Sequence, residues 1–482
     1  MNKIFLYALI FSCTACAIGP NYEKKVFYTD EKIAQELNIK NSKKNVSPDW
    51  FRIFGDSYLN ELIEIALKNS PTIQIAKEKL QQSRYSLYIA EAGLLPDFDI
   101  SGEYVKNSPS ATVEPMAKQD YFQVGFDASW EIDIWGGQRR LIESNYAMLK
   151  AAGADLDNVK LVLISEVALK YINWRLYQKL VEDTKINIEN QTQIYETIKS
   201  KYLAGLVDEM TLNQAESLVK SSKQKLPNFV LSEKNMLNAL AVLVGVLPSE
   251  IINKQSTILE NEPNFDINSL YDISAKIVQT RPDVFSAEQQ LVAQNALIGN
   301  KMSNILPSLS LQSFLGYQNN TLSPIIAKDY NMYSTNIKSL LPLFHWGKII
   351  NDIKIQQSIT KEALSSYQST LLQAVVDISN AIASVEQNSK NVELTNENFE
   401  LYNNIADLSK NKYDSGLIAF SDLLDAQNNK ISAQIAKNQA KASLLEGIIS
   451  FYKAVGGGLN ANYNALDDRK GLIMTECEPC KD

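Results

Sequence analysis

The chain has 482 residues, with 47 Lys or Arg against 55 Asp or Glu, giving a formal net charge of -8. Its basic residues are thinly spread, which excludes the electrostatic footprint of a nucleic-acid binder. Mean hydropathy is -0.18 and no later apolar stretch reaches about twenty residues, which argues against a helical inner-membrane protein. Only four cysteines occur, Cys13, Cys16, Cys477 and Cys480, too few for a disulfide scaffold.

The first predicted element is an export leader over residues 1–15. Lys3 precedes the apolar run IFLYALIF, which is too short for a permanent span. Thr14 and Ala15 then precede Cys16, a pattern that resembles the lipobox of bacterial lipoproteins. Cleavage there makes Cys16 the new N-terminus and the site of a covalent lipid, heading a lipidated N-terminal extended segment over 16–55. The alternative is an ordinary secretory leader with an incidental cysteine.

Residues 56–247 read as a first structural repeat. Leu59, Leu62, Ile63, Ala66 and Leu67 follow helical spacing, and Pro96 marks a change of period. A β-hairpin is predicted over 95–135. Its second strand alternates Phe122, Val124, Phe126, Ala128 and Trp130 with Gln123, Gly125, Asp127, Ser129 and Glu131. That is a strand with two chemically opposite sides. A long helical hairpin follows over 137–247, bending at Gly205, with Pro227 expected to interrupt or kink its return helix.

After a linker at 248–266, a second repeat is predicted over 267–456, with a β-hairpin at 306–346, a helical hairpin at 348–456 and a bend at Gly416. The two halves share one register: Pro96 maps to Pro307, Trp135 to Trp346, Gly205 to Gly416 and Gly245 to Gly456, each displaced by 211 residues. A tail over 457–482 lies outside this duplication. The long helical segments of about 66 residues would reach about 100 Å, a length suited to an extended helical wall.

Four amphipathic strands per chain cannot close a membrane barrel alone, because lipid leaves no partner for open sheet edges. Closure therefore demands either further strands or several chains contributing to one barrel, and the residues alone leave the number of chains open. The acidic side, Asp97, Asp99, Glu103, Asp127, Glu131 and Asp133, is expected to face water. Phe122, Val124, Phe126 and Trp130 are expected to face lipid. His345, between Phe344 and Trp346, is the single histidine, and no catalytic motif accompanies it. The chain is therefore not expected to be an enzyme, or to need any cofactor or metal beyond its lipid.

The segments CAIGPNYEKK, SWEIDIWGGQRR, TRPDV and KYDSGLIAFSDLLDAQ together resemble the lipoprotein branch of the outer membrane factors, the TolC-like exit ducts of tripartite efflux systems. The resemblance runs from Cys16 to Gly456. It implies a mixed α/β membrane protein: a homotrimer whose twelve-stranded β-barrel continues into a long periplasmic α-helical barrel. It implies location in the cell outer membrane, lipid-anchored and extending into the periplasm. It implies as partners a periplasmic adaptor protein and an inner-membrane transporter of the proton-driven resistance-nodulation-division class. Asp425 falls on the family's gate aspartate, with Ser421 one turn earlier, and the arginine often found three residues on is Asn428 here. Rival readings are the outer membrane channel of a type I protein or peptide secretion system, and a structural envelope lipoprotein.

Overall fold

A computed structural model describes residues 17–40, 46–107, 119–251, 258–260, 265–323 and 325–459. The leader, Cys16, the tail cysteines and parts of the 248–266 linker lie outside the described residues. After an opening irregular stretch comes a short helix α1 (Asp30–Glu36), started by Thr29, whose hydroxyl accepts from the Lys32 amide. This helix and a 3-10 turn at Trp50–Phe54 correct the expectation of an extended 16–55 segment. Both arise because Ile33, Trp50, Phe51 and Phe54 are buried, which ties the segment to the core.

Helix α2 (Ser57–Asn69) is capped by Asp56, which accepts from the amides of Tyr58 and Leu59. Helix α3 (Pro71–Ala92) begins at a proline, whose missing N–H would have had no helical partner there. Strands β1 (Asp97–Asn107) and β2 (Gln119–Glu131) lead to α4 (Gly137–Leu203) and α5 (Glu209–Val244). The second half repeats the order with α6 (Pro282–Ser303), β3 (Ser308–Asn319), β4 (Asn331–Leu340), α7 (Lys348–Asp414) and α8 (Phe420–Ala454). Helix α5 runs unbroken through Pro227. Packing along α4 holds it there against the loss of one helical hydrogen bond.

The duplication reaches the backbone. Gly136 and Gly347 hold φ 78 and 79°, Gly205 and Gly416 both hold 71°, and Gly245 and Gly456 hold 79 and 77°. Each pair starts, turns or ends a helix in the left-handed conformation that glycine adopts without a Cβ clash.

The elements lie side by side in three tiers. The sheet runs β1-β2-β3-β4, entirely antiparallel. Below it α3, α4, α6 and α7 pack in that order, and further along α5, α4, α8 and α7 do so. The two 67-residue helices link the tiers. The main core sits at their mid-length, where Trp50, Leu59 and Ile63 meet Tyr171 and Trp174 of α4 and Tyr367 and Ile378 of α7. Trp50 stacks on Tyr452 with ring centroids 5.0 Å apart.

Candidate functional site: the strand wall and the helical tip

Cross-strand partners in an antiparallel sheet share a face, so the register decides what each face carries. Ile100 pairs with Phe126, Phe126 with Leu315 and Leu315 with Tyr333. One apolar row thus crosses all four strands, and all four side chains are exposed. Trp130, Leu311 and Ile337 form a second row. Phe122 and Val124 stand on this same face, opposite Tyr104 and Gly102. The other face carries Asp99 opposite Asp127, with Asp97, Glu103 and Glu131.

Two features of the polar face differ from the sequence pattern. Asp133 lies beyond the end of β2 and accepts from the Gln138 and Arg139 amides at 3.1 Å each, with an ion pair to the Arg139 side chain. It caps the start of α4 and is no part of the strand wall. Phe314 is buried although its neighbours on that face are polar. Its ring lies over the facing glycines Gly125 and Gly316, where a Cβ on either would meet it at 2.6 Å. An aromatic ring covering a glycine pair compensates for their missing side chains, and the glycines let the sheet bend.

At the far end of the long helices, Gly205 and Gly416 make the two bends, with nothing within 4 Å of where a Cβ would stand. Asp208 starts α5 by accepting from the Thr211 hydroxyl at 2.7 Å and the Thr211 amide at 2.9 Å, and these hydrogen bonds hold its carboxyl below the usual range. The two tips share a small apolar cluster of Ile198, Ala215, Phe420 and Leu423. Lys201 at the end of α4 stands 5.0 Å over the Tyr413 ring of α7, whose phenol is pushed up by burial and then by Asp414. The pairing was readable in principle, since Lys-Tyr recurs at 201–202 and 412–413.

Phe420 and Leu423 join the cluster and Ala426 is buried, which leaves Ser421 and Asp425 on the exposed side of α8 one turn apart. Their counterparts in the first repeat, Met210 for Ser421 and Gln214 for Asp425, line a shallow recess with Glu209, Asn213 and Ser217. Asp425 is thus brought to the tip but has no described partner there, and Asn428 is exposed beside it. Among the described residues no group of three His, Cys, Asp or Glu side chains is placed to hold a metal. Among the described residues no helix is long and apolar enough to cross a membrane.

At the other end the first described residues, 17–21, are held firmly. Ala17 packs on Gly136, and the Ile18 amide donates to the Trp135 carbonyl at 3.0 Å. Arg140 donates to the Ile18 and Gly19 carbonyls and to Asn21. The residue following Cys16 is therefore fixed at the junction between strands and helices.

The profile described as outer membrane efflux protein matches residues 62–246 and 274–457, one match for each repeat. Nodulation protein T of Rhizobium leguminosarum bv. trifolii is 25% identical, the alignment covering 94% of this chain and 96% of that protein. The pyoverdine export outer membrane protein OpmQ of Pseudomonas aeruginosa is 26% identical over 89% of this chain and 90% of its own. The crystal structure of the Campylobacter jejuni CmeC outer membrane channel superposes with a TM-score of 0.82 at 28% identity, covering 93% and 96% of the two chains.

Proposed function

The chain belongs to the outer membrane efflux protein family, and from that premise we propose that three copies form a passive exit duct for small molecules across the outer membrane. The observation that carries this reading is the open sheet with one apolar and one polar face. Such a sheet cannot stay open in lipid, since the outer edges of β1 and β4 carry unpaired backbone groups. Three copies supply twelve strands, within the range of closed membrane barrels. In this reading Phe122, Val124, Phe126 and Trp130 meet lipid, and Asp97, Asp99, Glu103, Asp127 and Glu131 give the water-filled lumen a negative wall.

Helix α7 supports the same closure. It equals α4 in length, yet it stands at the edge of both helical tiers and leaves Leu372, Val376, Leu394, Leu401, Ile405 and Leu408 exposed. An apolar stripe this long calls for a partner. Cys16, preceding the clamped Ala17, would place its lipid at the base of the barrel. The bends expose Leu203, Leu206, Met210 and Leu417, an apolar rim suited to a periplasmic adaptor that joins the duct to an inner-membrane pump, of the resistance-nodulation-division class by family resemblance. The likeness to a pyoverdine export protein favours small-molecule cargo over a secreted protein.

Three Asp425 side chains around the axis, each with Ser421 one turn away, would form a repulsive ring that closes only with bound cations or protons. Planar-bilayer recordings of the purified protein test both levels of the reading. The intact protein should conduct ions, and Asp425→Ala should change cation block and resting conductance. A protein that inserts without conducting counts against the duct. Unchanged conductance, selectivity and cation block in both Asp425→Ala and Ser421→Ala would remove the gate assignment alone.

A further inference from the structure

Midway along the last helical hairpin, apart from both the strand wall and the tip, the linker between the repeats covers a trough of about 440 Å³. One wall is α7, through Ser389, Val392, Glu393, Asn396 and Glu397, and the other is α8, through Lys441, Leu444, Leu445 and Ile448. Spacings of three and four residues set each group on one side of its helix. Ile258, Leu259, Phe265 and Ile267 form the roof.

The roof is pinned from several directions, so the trough is formed in advance of any ligand. Lys441 Nζ donates to the Leu259 carbonyl at 3.2 Å. In the 3-10 turn that follows, Ile267–Tyr271, the Tyr271 hydroxyl donates to Glu386 of α7. The Phe265 ring stands edge-on to Phe451 and Tyr452, with centroids 6.2 and 6.1 Å away.

The polar groups of the trough are unbalanced. Glu393 and Glu397 stand one helical turn apart, both exposed, and among the described residues neither makes an ion pair. Asn396, between them in sequence, has a buried Oδ1 with no donor. The lysine lining the trough, Lys441, is engaged by the roof. The first repeat lacks this arrangement. There the 211-residue shift gives Glu182 and Ile186 for the two glutamates, and Glu182 pairs with Lys179 at 3.2 Å. Lys390, the counterpart of Lys179, makes no ion pair with Glu393 among the described residues.

We propose that this trough binds a small organic amine in its ammonium form, with its apolar body between Phe265, Leu445 and Ile448 and its charge beside Glu393 and Glu397. The volume lies in the range of small-molecule sites. An ammonium brings three donors and no acceptor, which suits two carboxylates and the Asn396 oxygen. An anion would meet like charge, and a plain hydrocarbon would take water from these acceptors without replacing it. The proposal does not depend on the duct reading, since it uses neither Asp425 nor the acidic strand wall.

Three probes with one body and different heads test it: phenylbutylammonium, phenylbutanol and phenylbutanoate. Calorimetry on the full-length protein in phosphatidylcholine nanodiscs, with empty nanodiscs as the blank, should find the ammonium bound more tightly than the alcohol and the carboxylate bound least. Glu393→Gln with Glu397→Gln, both at exposed positions, should weaken the ammonium by about fivefold and leave the alcohol unchanged. Ser389→Cys places the site: a small maleimide should label the peptide that contains it, and the ammonium should slow that labelling where the carboxylate does not. Equal binding of ammonium and alcohol, or tighter binding of the carboxylate, overturns the proposal. Ammonium binding that the double variant leaves unchanged, or that gives Ser389→Cys no protection, belongs elsewhere on the protein and also overturns it. A Ser389→Cys that stays unlabelled without any probe shows a trough filled by the chain itself, which overturns it as well.

Discussion

Arg281 illustrates how a single side chain ties together three helices of the second repeat. It is almost fully buried just before α6, where its guanidinium forks onto Asp283 at 2.7 and 3.0 Å and reaches Asp377 of α7 at 3.2 Å. It also donates to the carbonyl of Ala454 at 2.9 Å, at the negative end of α8. Burial opposes its charge, but the two carboxylates more than offset this and hold it above the ordinary arginine range. Arg281→Ala leaves Asp377 and the Ala454 carbonyl without that donor and should lower stability by about 3 kcal/mol. Arg281→Lys should recover little, because an ammonium cannot form the fork. Urea unfolding followed by circular dichroism measures both, and an unchanged midpoint in Arg281→Ala would refute this role. The matching position in the first repeat is Ser70, also buried, so the knot belongs to one half only.

At the scale of the element, the strands and the long helices obey different rules. In β2 the alternation from Gln119 to Glu131 survives in the structure as two faces, since each cross-strand partner sits on the same side. Val124 lies near the middle of the strand on the apolar face. Val124→Arg should therefore reduce the protein recovered in the outer membrane fraction, with a penalty of about 2 to 4 kcal/mol where that face meets midplane lipid. Gln123→Arg, on the other face, should assemble nearly as well, and equal recovery of the two variants would contradict the assigned orientation. Helices α4 and α7 show that equal sequence length does not imply equal surroundings. Buried residues run the whole length of α4, whereas those of α7 gather around its middle, because α4 has neighbours on both sides and α7 on one.

For the whole molecule, three tiers of four elements share common edges, so a single rule of association can close sheet and helices together. The start of the chain is fastened where the tiers meet. Gly19 crosses Gly299 so closely that a Cβ on Gly19 would stand 2.4 Å from the Gly299 Cα, and Arg140 holds the same segment by three hydrogen bonds to Ile18, Gly19 and Asn21. Further on, Lys24 and Tyr22 both donate to the buried Glu288 of α6, and burial followed by Glu288 pushes the Tyr22 phenol well up, which keeps it a neutral donor. A lipid on Cys16 would then lie beside the junction of sheet and helices and not on a free tether. Mass spectrometry of the mature protein should find an acylated Cys16 as its first residue. An unmodified terminus elsewhere would count against this anchor.

Much of this architecture is local and therefore written in the chain. The apolar period changes at Pro96 and Pro307, the helices lack proline over long stretches, and glycines at 205 and 416 permit the bends, so elements and their order follow from short-range chemistry. Duplication was equally visible, because matching anchors need no knowledge of contacts. Other features depend on what lies across the fold. Only packing turned Asp133 from a wall residue into a helix cap, carried α5 through Pro227 and folded the 30–36 stretch against the core. Phe314 reads as an apolar interruption of a polar face until its ring is seen over two glycines from different strands. Most of all, the sequence cannot distinguish α4 from α7, since their periodicity is alike; tertiary order placed one inside the wall and the other at its edge, and so decided which surface the chain itself leaves uncovered.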